Sequence, residues 1–468
     1  MALISFSGIA SGIDSSSLIT SLIAQERNAR IKPMQDRITE LNDTNSTYSQ
    51  LKSKLLDLKN KASVFRTLNG SGLIKNAASS DDLILSPTAS SSAANGSYSV
   101  DVGALAKNGT YSFKSTLGSY SSSDDAIAST MVGTDTVHFE IGQGSNLDTF
   151  DLTVSNTTTL SQFVSDFNNS TTNATASLVN AGTASTPDYR VVISTNNQGT
   201  EKGEINVTTG VSITSANAFN DNTVSQATNA ELQIIGIGAG AGDIITRSSN
   251  TISDIIPGLT LNLQSTGSVT ISVADDSSAT ASRMQDFVDS FNEVVNYIQE
   301  NDLVVSENNG DTTTNTFGAF SSSSLDENII FALRGAISSS GTSGRDVNVL
   351  SDLGITTQRD GTLKFDSQVF EDAISNDAEG VRTITQSLGD TLSNTGGTID
   401  QFTRFGGLID ALENQNNDQV SNYERNIASV EKQITQHEQS LIARYAKLEA
   451  LIGKLNSQQS ALTSALPR

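Results

Sequence analysis

The chain has 468 residues, with 28 Lys and Arg against 51 Asp and Glu, a net charge of −23, no cysteine and no tryptophan. A chain without cysteine holds no disulfide and no thiolate metal site, and a strongly acidic one repels nucleic-acid backbones. No run approaches the ~18 apolar residues of a membrane span, and at roughly 100–200 residues per domain the length suggests three or four domains.

The charge is uneven. Basic and acidic residues number nine and six in 1–70, six and nineteen in 71–282, seven and twenty-two in 283–420, and six and four in 421–468. Weakly basic ends therefore flank an acidic body. The first fourteen residues are small, with Gly8, Gly12 and several serines, and they carry no basic, long-apolar leader pattern. Residues 1–30 are expected to gain order only on assembly, because so little apolar surface offsets the ordering entropy. Within them, helix signals begin at Ser15–Ser17, ahead of Leu18, Ile19, Leu22 and Ile23. Pro33 predicts a kink, and a long helix follows from about 34 to 67. Its stripe is Met34, Ile38, Leu41, Asn45, Tyr48, Lys52, Leu55, Leu58, Ala62 and Phe65, and Asn69-Gly70 stops it.

From 71 to 282 the composition turns to Ser, Thr, Asn and Gly, and apolar residues alternate. Gly96–Val102, Thr136–Ile141, Phe150–Val154, Ala174–Val179 and Tyr189–Ser194 read as strands. Thr159-Leu160-Ser161-Gln162 is a capping box for a helix carrying Leu160, Phe163, Val164 and Phe167. Strands resume at Leu232–Ile235, Leu259–Leu263 and Val269–Val273. This pattern predicts a β-rich head, 71–125 with 229–282, into which a β-rich module with one helix, 126–228, is inserted.

Helical spacing returns at 283–300 with Met284, Phe287, Val288, Phe291, Val294, Val295 and Ile298. A second helix starts at Ser324 and uses Ile329, Ile330, Leu333 and Ile337. Asp360-Gly361 predicts a hairpin between Leu353–Thr357 and Thr362–Phe365. Two short helices then precede the long terminal one. Its stripe runs through Ile409, Leu412, Val420, Tyr423, Ile427, Val430, Ile434, Leu441, Tyr445, Leu448, Ile452, Leu455, Leu462 and Leu466. Asn416, His437 and Gln459 fill seam positions, either to set register or because the stripe is locally exposed.

The fold expected is α+β and multidomain. Coiled-coil arms, 1–40 and 421–468, flank a helical base, 41–70 and 283–420, that carries the β-rich head domains. The terminal stripe spans about 85 Å and the N-terminal one about 47 Å at 1.5 Å per residue. Apolar surface is left over, which marks an interaction site. Leu18, Ile19, Leu22, Ile23, Leu441, Tyr445, Leu448, Ile452, Leu455 and Leu462 are the expected assembly residues. The body, 71–420, is expected to self-associate without the arms.

Signals for chemistry are sparse. The two histidines, His138 and His437, stand alone, on a predicted strand and on the helical seam. Gly236-Ile-Gly238-Ala-Gly240-Ala-Gly242 has Ala241 where a dinucleotide fingerprint needs glycine, and no βαβ pattern surrounds it. Asp124-Asp125 and Asp275-Asp276 lack calcium-loop spacing. No catalytic, cofactor or metal residues are assigned.

Several segments together resemble the bacterial flagellar filament cap family, hook-associated protein 2. They are Phe6-Ser7-Gly8-Ile9-Ala10-Ser11-Gly12-Ile13-Asp14, Asn250 to Leu261 with Ile255-Ile256-Pro257-Gly258, and Phe287-Val288 with Phe291-Asn292. Leu353-Gly354-Ile355-Thr356 and Leu455-Asn456-Ser457-Gln458-Gln459-Ser460-Ala461-Leu462 complete the set. The insert resembles a module of flagellins and hook proteins. The resemblance implies a homo-oligomer of about five subunits at the distal filament tip, which promotes folding and insertion of exported flagellin. It also implies contact with hook–filament junction proteins and an export chaperone, and exit through the flagellar type III apparatus without a cleaved signal. It implies no cofactor. A filament or junction subunit, which shares the arms and insert, and a tip adhesin are the alternative readings.

Overall fold

The computed structural model of the chain describes residues 14–114, 119–216, 219, 221–235, 243–309, 312–321, 323–338, 343 and 345–465. The chain forms two compact units, Met1–Gly72 with Ser277–Arg468, and Leu73–Asp276.

In the helical unit, α1 is Ser15–Arg30 and α2 is Lys32–Ser63. Asp14 caps α1 by accepting from the Ser17 amide at 3.1 Å and its hydroxyl at 2.6 Å. The expectation of no order across 1–30 therefore fails for 15–30, because Ile19 and Ile23 have a core to enter. Residues 1–13 lie outside the described residues. Pro33 sits in the first turn of α2, where it costs no hydrogen bond, so it opens a helix rather than bending one. That helix passes residue 40 unbroken, and the expected arm–base boundary there has no counterpart in the backbone. Leu41, Tyr48, Leu51, Leu55, Leu58 and Ala62 are its buried face.

The helix Ser277–Asp302 buries the whole expected stripe from Met284 to Ile298. It starts before 283 because Thr280 and Ala281 are buried too. Phe65 meets Phe287 edge-on at 6.3 Å. Leu325–Ser338 follows, then the hairpin Ile355–Thr357 and Leu363–Phe365, whose turn takes Gly361 at φ 89°. Ser367–Ser393 is bent at Asp377, φ −147°. The Asp377 carboxylate accepts from the Gly380 amide at 3.0 Å and so caps the second half.

The sequence Gly-Gly-x-Ile-Asp occurs twice, ten residues apart, at 396–400 and 406–410. Gly396 and Gly406 take φ of 78° and 69°, which a Cβ would disfavour. Each donates its N–H to the aspartate four residues on, at 2.8 and 3.0 Å. Ile399 and Ile409 are both fully buried. Asp400 accepts from Lys59 at 2.7 Å and Asp410 accepts from Lys52. Lys52 and Lys59 are two turns apart on α2, so the repeat staples the chain to one face of that helix just before and at the start of Leu408–Ala465. The lysine, then the glycine amide, holds each carboxyl below the usual aspartate range. A depressed folded pKa stabilises above the unfolded value and is lost as pH falls through the folded one. The helical unit is therefore expected to weaken below the ordinary aspartate range. Urea melts followed by helical circular dichroism from pH 7 to about 3 check this. The double variant Asp400→Asn, Asp410→Asn should show a smaller acid loss.

In the β unit, an antiparallel five-stranded sheet has the order Lys75–Ser79, Gly267–Asp275, Gly96–Ala104, Ala230–Ile235, Ile245–Arg247. A three-stranded sheet, Thr251–Ile252, Leu259–Leu263 and Leu85–Ala89, closes its core over Val100, Leu232, Leu261 and Ile271. The insert has its own core. A four-stranded sheet orders Asp221–Ser225, Thr110–Lys114, Tyr189–Thr195, Ala174–Asn180. A three-stranded sheet orders Asp148–Ser155, Thr134–Ile141, Ile205–Thr209. The helix Leu160–Ser170, capped by Thr159 as expected, packs Phe163 and Phe167 against Phe113, Phe139 and Phe219. The insert thus begins near Gly109 and not at 126. Tyr111 and Phe113 alternate into its core from a strand that a serine-rich setting had hidden. The two crossings run side by side where Lys107 and Thr228 exchange backbone hydrogen bonds at 2.9 and 3.2 Å.

Candidate assembly interface on the arm helices

The helix Leu408–Ala465 has 58 residues, and α1 and α2 cover different lengths of it. Near its start, α2 is joined by three asparagines. Asn416 donates to the Asn45 oxygen at 2.8 Å, and Asn45 donates to Asn417 at 2.9 Å. Buried or half-buried asparagines pair only when aligned, which favours the register reading of Asn416.

Further out, α1 takes over. Arg30 donates to Gln433 at 2.6 Å, and His437 Nδ1 lies 2.8 Å from the Glu26 carboxylate. Contacts at falling numbers in α1 meet rising numbers in the terminal helix, so the pair is antiparallel. Ile19, Ile23, Ile31 and Ile434 form its core, and Ile427, Val430, Leu441 and Tyr445 pack against it. His437, then Arg30, pulls the Glu26 carboxyl below its usual range. Acid therefore weakens this clasp once it protonates Glu26.

The ten expected interface residues separate into two groups. Ile19, Ile23, Leu441 and Tyr445 are spent on the α1 clasp. Leu448, Leu455 and Leu462 lie past it and are 49%, 55% and 70% exposed, while Ile452 is half-buried. Leu451, absent from the expected set, joins them as an exposed leucine. Leu18 and Leu22 are exposed as well, each roughly 100° around α1 from its buried isoleucine neighbour. Gln459, on the same outer segment, is exposed. The sequence reading missed Ile31, which closes the inner end of the clasp and sits between the two N-terminal helices. It also missed the Gly-Gly-x-Ile-Asp pair, which a search for ten-residue repeats finds.

Among the described residues no cluster of His, Asp and Glu is arranged to hold a metal ion. No described helix is long and apolar enough to cross a membrane. The Gly236–Gly242 run lies outside the described residues.

A helical unit built from both chain ends, with a β-rich unit inserted between them in the sequence, is the layout of a structural assembly protein. The chain belongs to the flagellar hook-associated protein 2 family: the family's N-terminal model matches residues 11–109 and its C-terminal model residues 227–457. It is 24% identical to the A-type flagellar hook-associated protein 2 of Pseudomonas aeruginosa, over 98% of this chain and 96% of that one. It is 27% identical to the flagellar hook-associated protein 2 of Escherichia coli O157:H7, over 99% and 98%. The D1-D2-D3 domains of the flagellar cap protein from Escherichia coli share the fold, with TM-score 0.61 and 23% identity over 79% of this chain and 99% of that one.

Proposed function

We propose that the chain caps the distal tip of the flagellar filament as a homo-oligomer. The observation that carries this is the run of exposed leucines from Leu448 to Leu462, past the segment of the arm that packs against α1. About 20 Å of apolar helix left open needs a partner helix. On this reading the arms are legs that meet flagellin and the hook–filament junction proteins. The remainder of the helical unit is the base, and the β unit is the head with its insert. The cap promotes folding and insertion of flagellin without covalent chemistry or a cofactor. The chain reaches the tip through the flagellar type III apparatus, with a chaperone covering the arm before export. The basic ends and cysteine-free composition suit a chain that travels unfolded and pairs on arrival.

The filament-subunit alternative makes a different object. Light scattering and electron microscopy of the purified chain at micromolar concentration are expected to show small closed oligomers of one size. Long tubes would favour a filament subunit, and a strict monomer would count against self-assembly.

A further inference from the structure

Three side chains with no part in the capping reading meet at one end of the five-stranded sheet. Lys75 opens the edge strand Lys75–Ser79, and its direct partner across the antiparallel pair is Asp275, the last residue of Gly267–Asp275. Asn95 immediately precedes Gly96–Ala104, the strand on the other side of Gly267–Asp275. Lys75 Nζ lies 2.6 Å from Asp275 Oδ1 and donates to Asn95 Oδ1 at 2.7 Å. Asn95 Nδ2 donates to Asp275 Oδ2 at 2.6 Å. The Lys75 side chain is 6% exposed. A carbonyl bond is about 1.23 Å long, so the amine stands within about 4 Å of Asn95 Cγ. A structural ion pair would need one carboxylate oxygen and no carboxamide. Here each Asp275 oxygen faces one of two nitrogens, an amine beside a carboxamide carbon and the amide nitrogen of that carbon.

We propose that Lys75 and Asn95 join in an intramolecular amide bond, with Asp275 as the catalytic acid–base. Asp275 Oδ1 takes a proton from the Lys75 ammonium, which frees the amine as a nucleophile. Nζ attacks Asn95 Cγ, and the Cγ–Nδ2 bond breaks. Nζ gives up two protons in all and keeps one, as a secondary amide. Both pass through Asp275 to Nδ2, which leaves as ammonium, and Asp275 ends as the carboxylate it began as. No oxidant, metal or cofactor enters the balance. Escape of ammonium into bulk water drives the exchange forward. The bond would tie the edge strand to Gly96–Ala104 across the strand between them. A chain without cysteine has no disulfide for this purpose. The reaction requires the three strands in register, so it follows folding and leaves an unfolded chain unlinked.

Intact-mass spectrometry of the folded full chain tests this. The chain should be lighter than its sequence by one ammonia. Cleavage at Asp81 and Asp82, which lie between the two residues, should leave the Lys75 and Asn95 fragments joined after denaturation. Lys75→Arg and, independently, Asn95→Ala should restore the full mass and separate the fragments. Asn95 is exposed, so the second variant should keep the parent's circular dichroism spectrum. Asp275→Ala leaves both reactants in place and should slow bond formation by roughly a hundredfold. A parent at full mass after prolonged incubation in the folded state would overturn the assignment. So would fragments that separate from the lighter chain, or an ammonia loss that persists in Lys75→Arg, the mark of a succinimide at Asn95-Gly96. An Asp275→Ala chain that links at the parent's rate would remove Asp275 from the chemistry. The readout is a mass and not filament growth, so it stands apart from the capping test.

Discussion

Cells that depend on this chain for filament growth are expected to make few or no filaments, and to shed flagellin monomers, when it carries Leu448→Asp with Leu455→Asp. Burying an aliphatic side chain fully is worth roughly 1.5–3 kcal/mol. Leu448 and Leu455 are 49% and 55% exposed, so about half of that remains for a partner to gain at each. Together they offer roughly 1.5–3 kcal/mol, and a buried carboxylate opposes docking by more than the leucine favoured it. Neither side chain belongs to the α1 clasp, so the variant should fold and melt as the parent does. A chain ending near 430 is a poorer test than sequence alone suggests. It would also remove Ile434, Leu441 and Tyr445, which shelter Ile19 and Ile23. Ending at 447 removes the open leucines and keeps the clasp.

Leu55→Ala is expected to lower the stability of the helical unit by about 2–5 kcal/mol, as other buried leucine deletions do. Leu55 is completely buried, as are Leu51 and Leu58 on the same helix, α2. The β unit has separate aromatic and aliphatic cores, so calorimetry should show one transition lowered and another little changed. Equal loss in both would mean that the units unfold together. The same burial explains why residues 71–420 are an unsuitable fragment: they omit a helix on which the base is built. Leu73–Asp276, a compact unit with its own cores, is the sounder piece for asking whether the head self-associates.

Periodicity made the arms legible. The helical stripes at 34–65, 284–298 and 409–445, and the Thr159 cap, are set by local spacing, which a sequence shows directly. Lys52 and Asn45 are polar members of the first stripe. They are partners of Asp410 and of Asn416 and Asn417, and such partnerships across more than 350 positions leave no local trace. The strand Thr110–Lys114 was missed because its neighbours in the sheet come from residues 189–195 and 221–225. The order of α1 was missed for a similar reason. Its own apolar surface is small, and what holds it is Ile434 and the Glu26–His437 contact from the other end of the chain. The interface was half legible: the stripe predicted which residues face one way, but only packing separates those already covered from those left open.

Cryo-electron microscopy of filament tips from cells making this chain tests the capping account most directly. The account predicts one closed oligomer of the chain confined to the distal end, with Leu448, Leu455 and Leu462 against helices of the filament subunits. A chain repeated along the shaft, or tips that carry it with those leucines facing solvent, would contradict it.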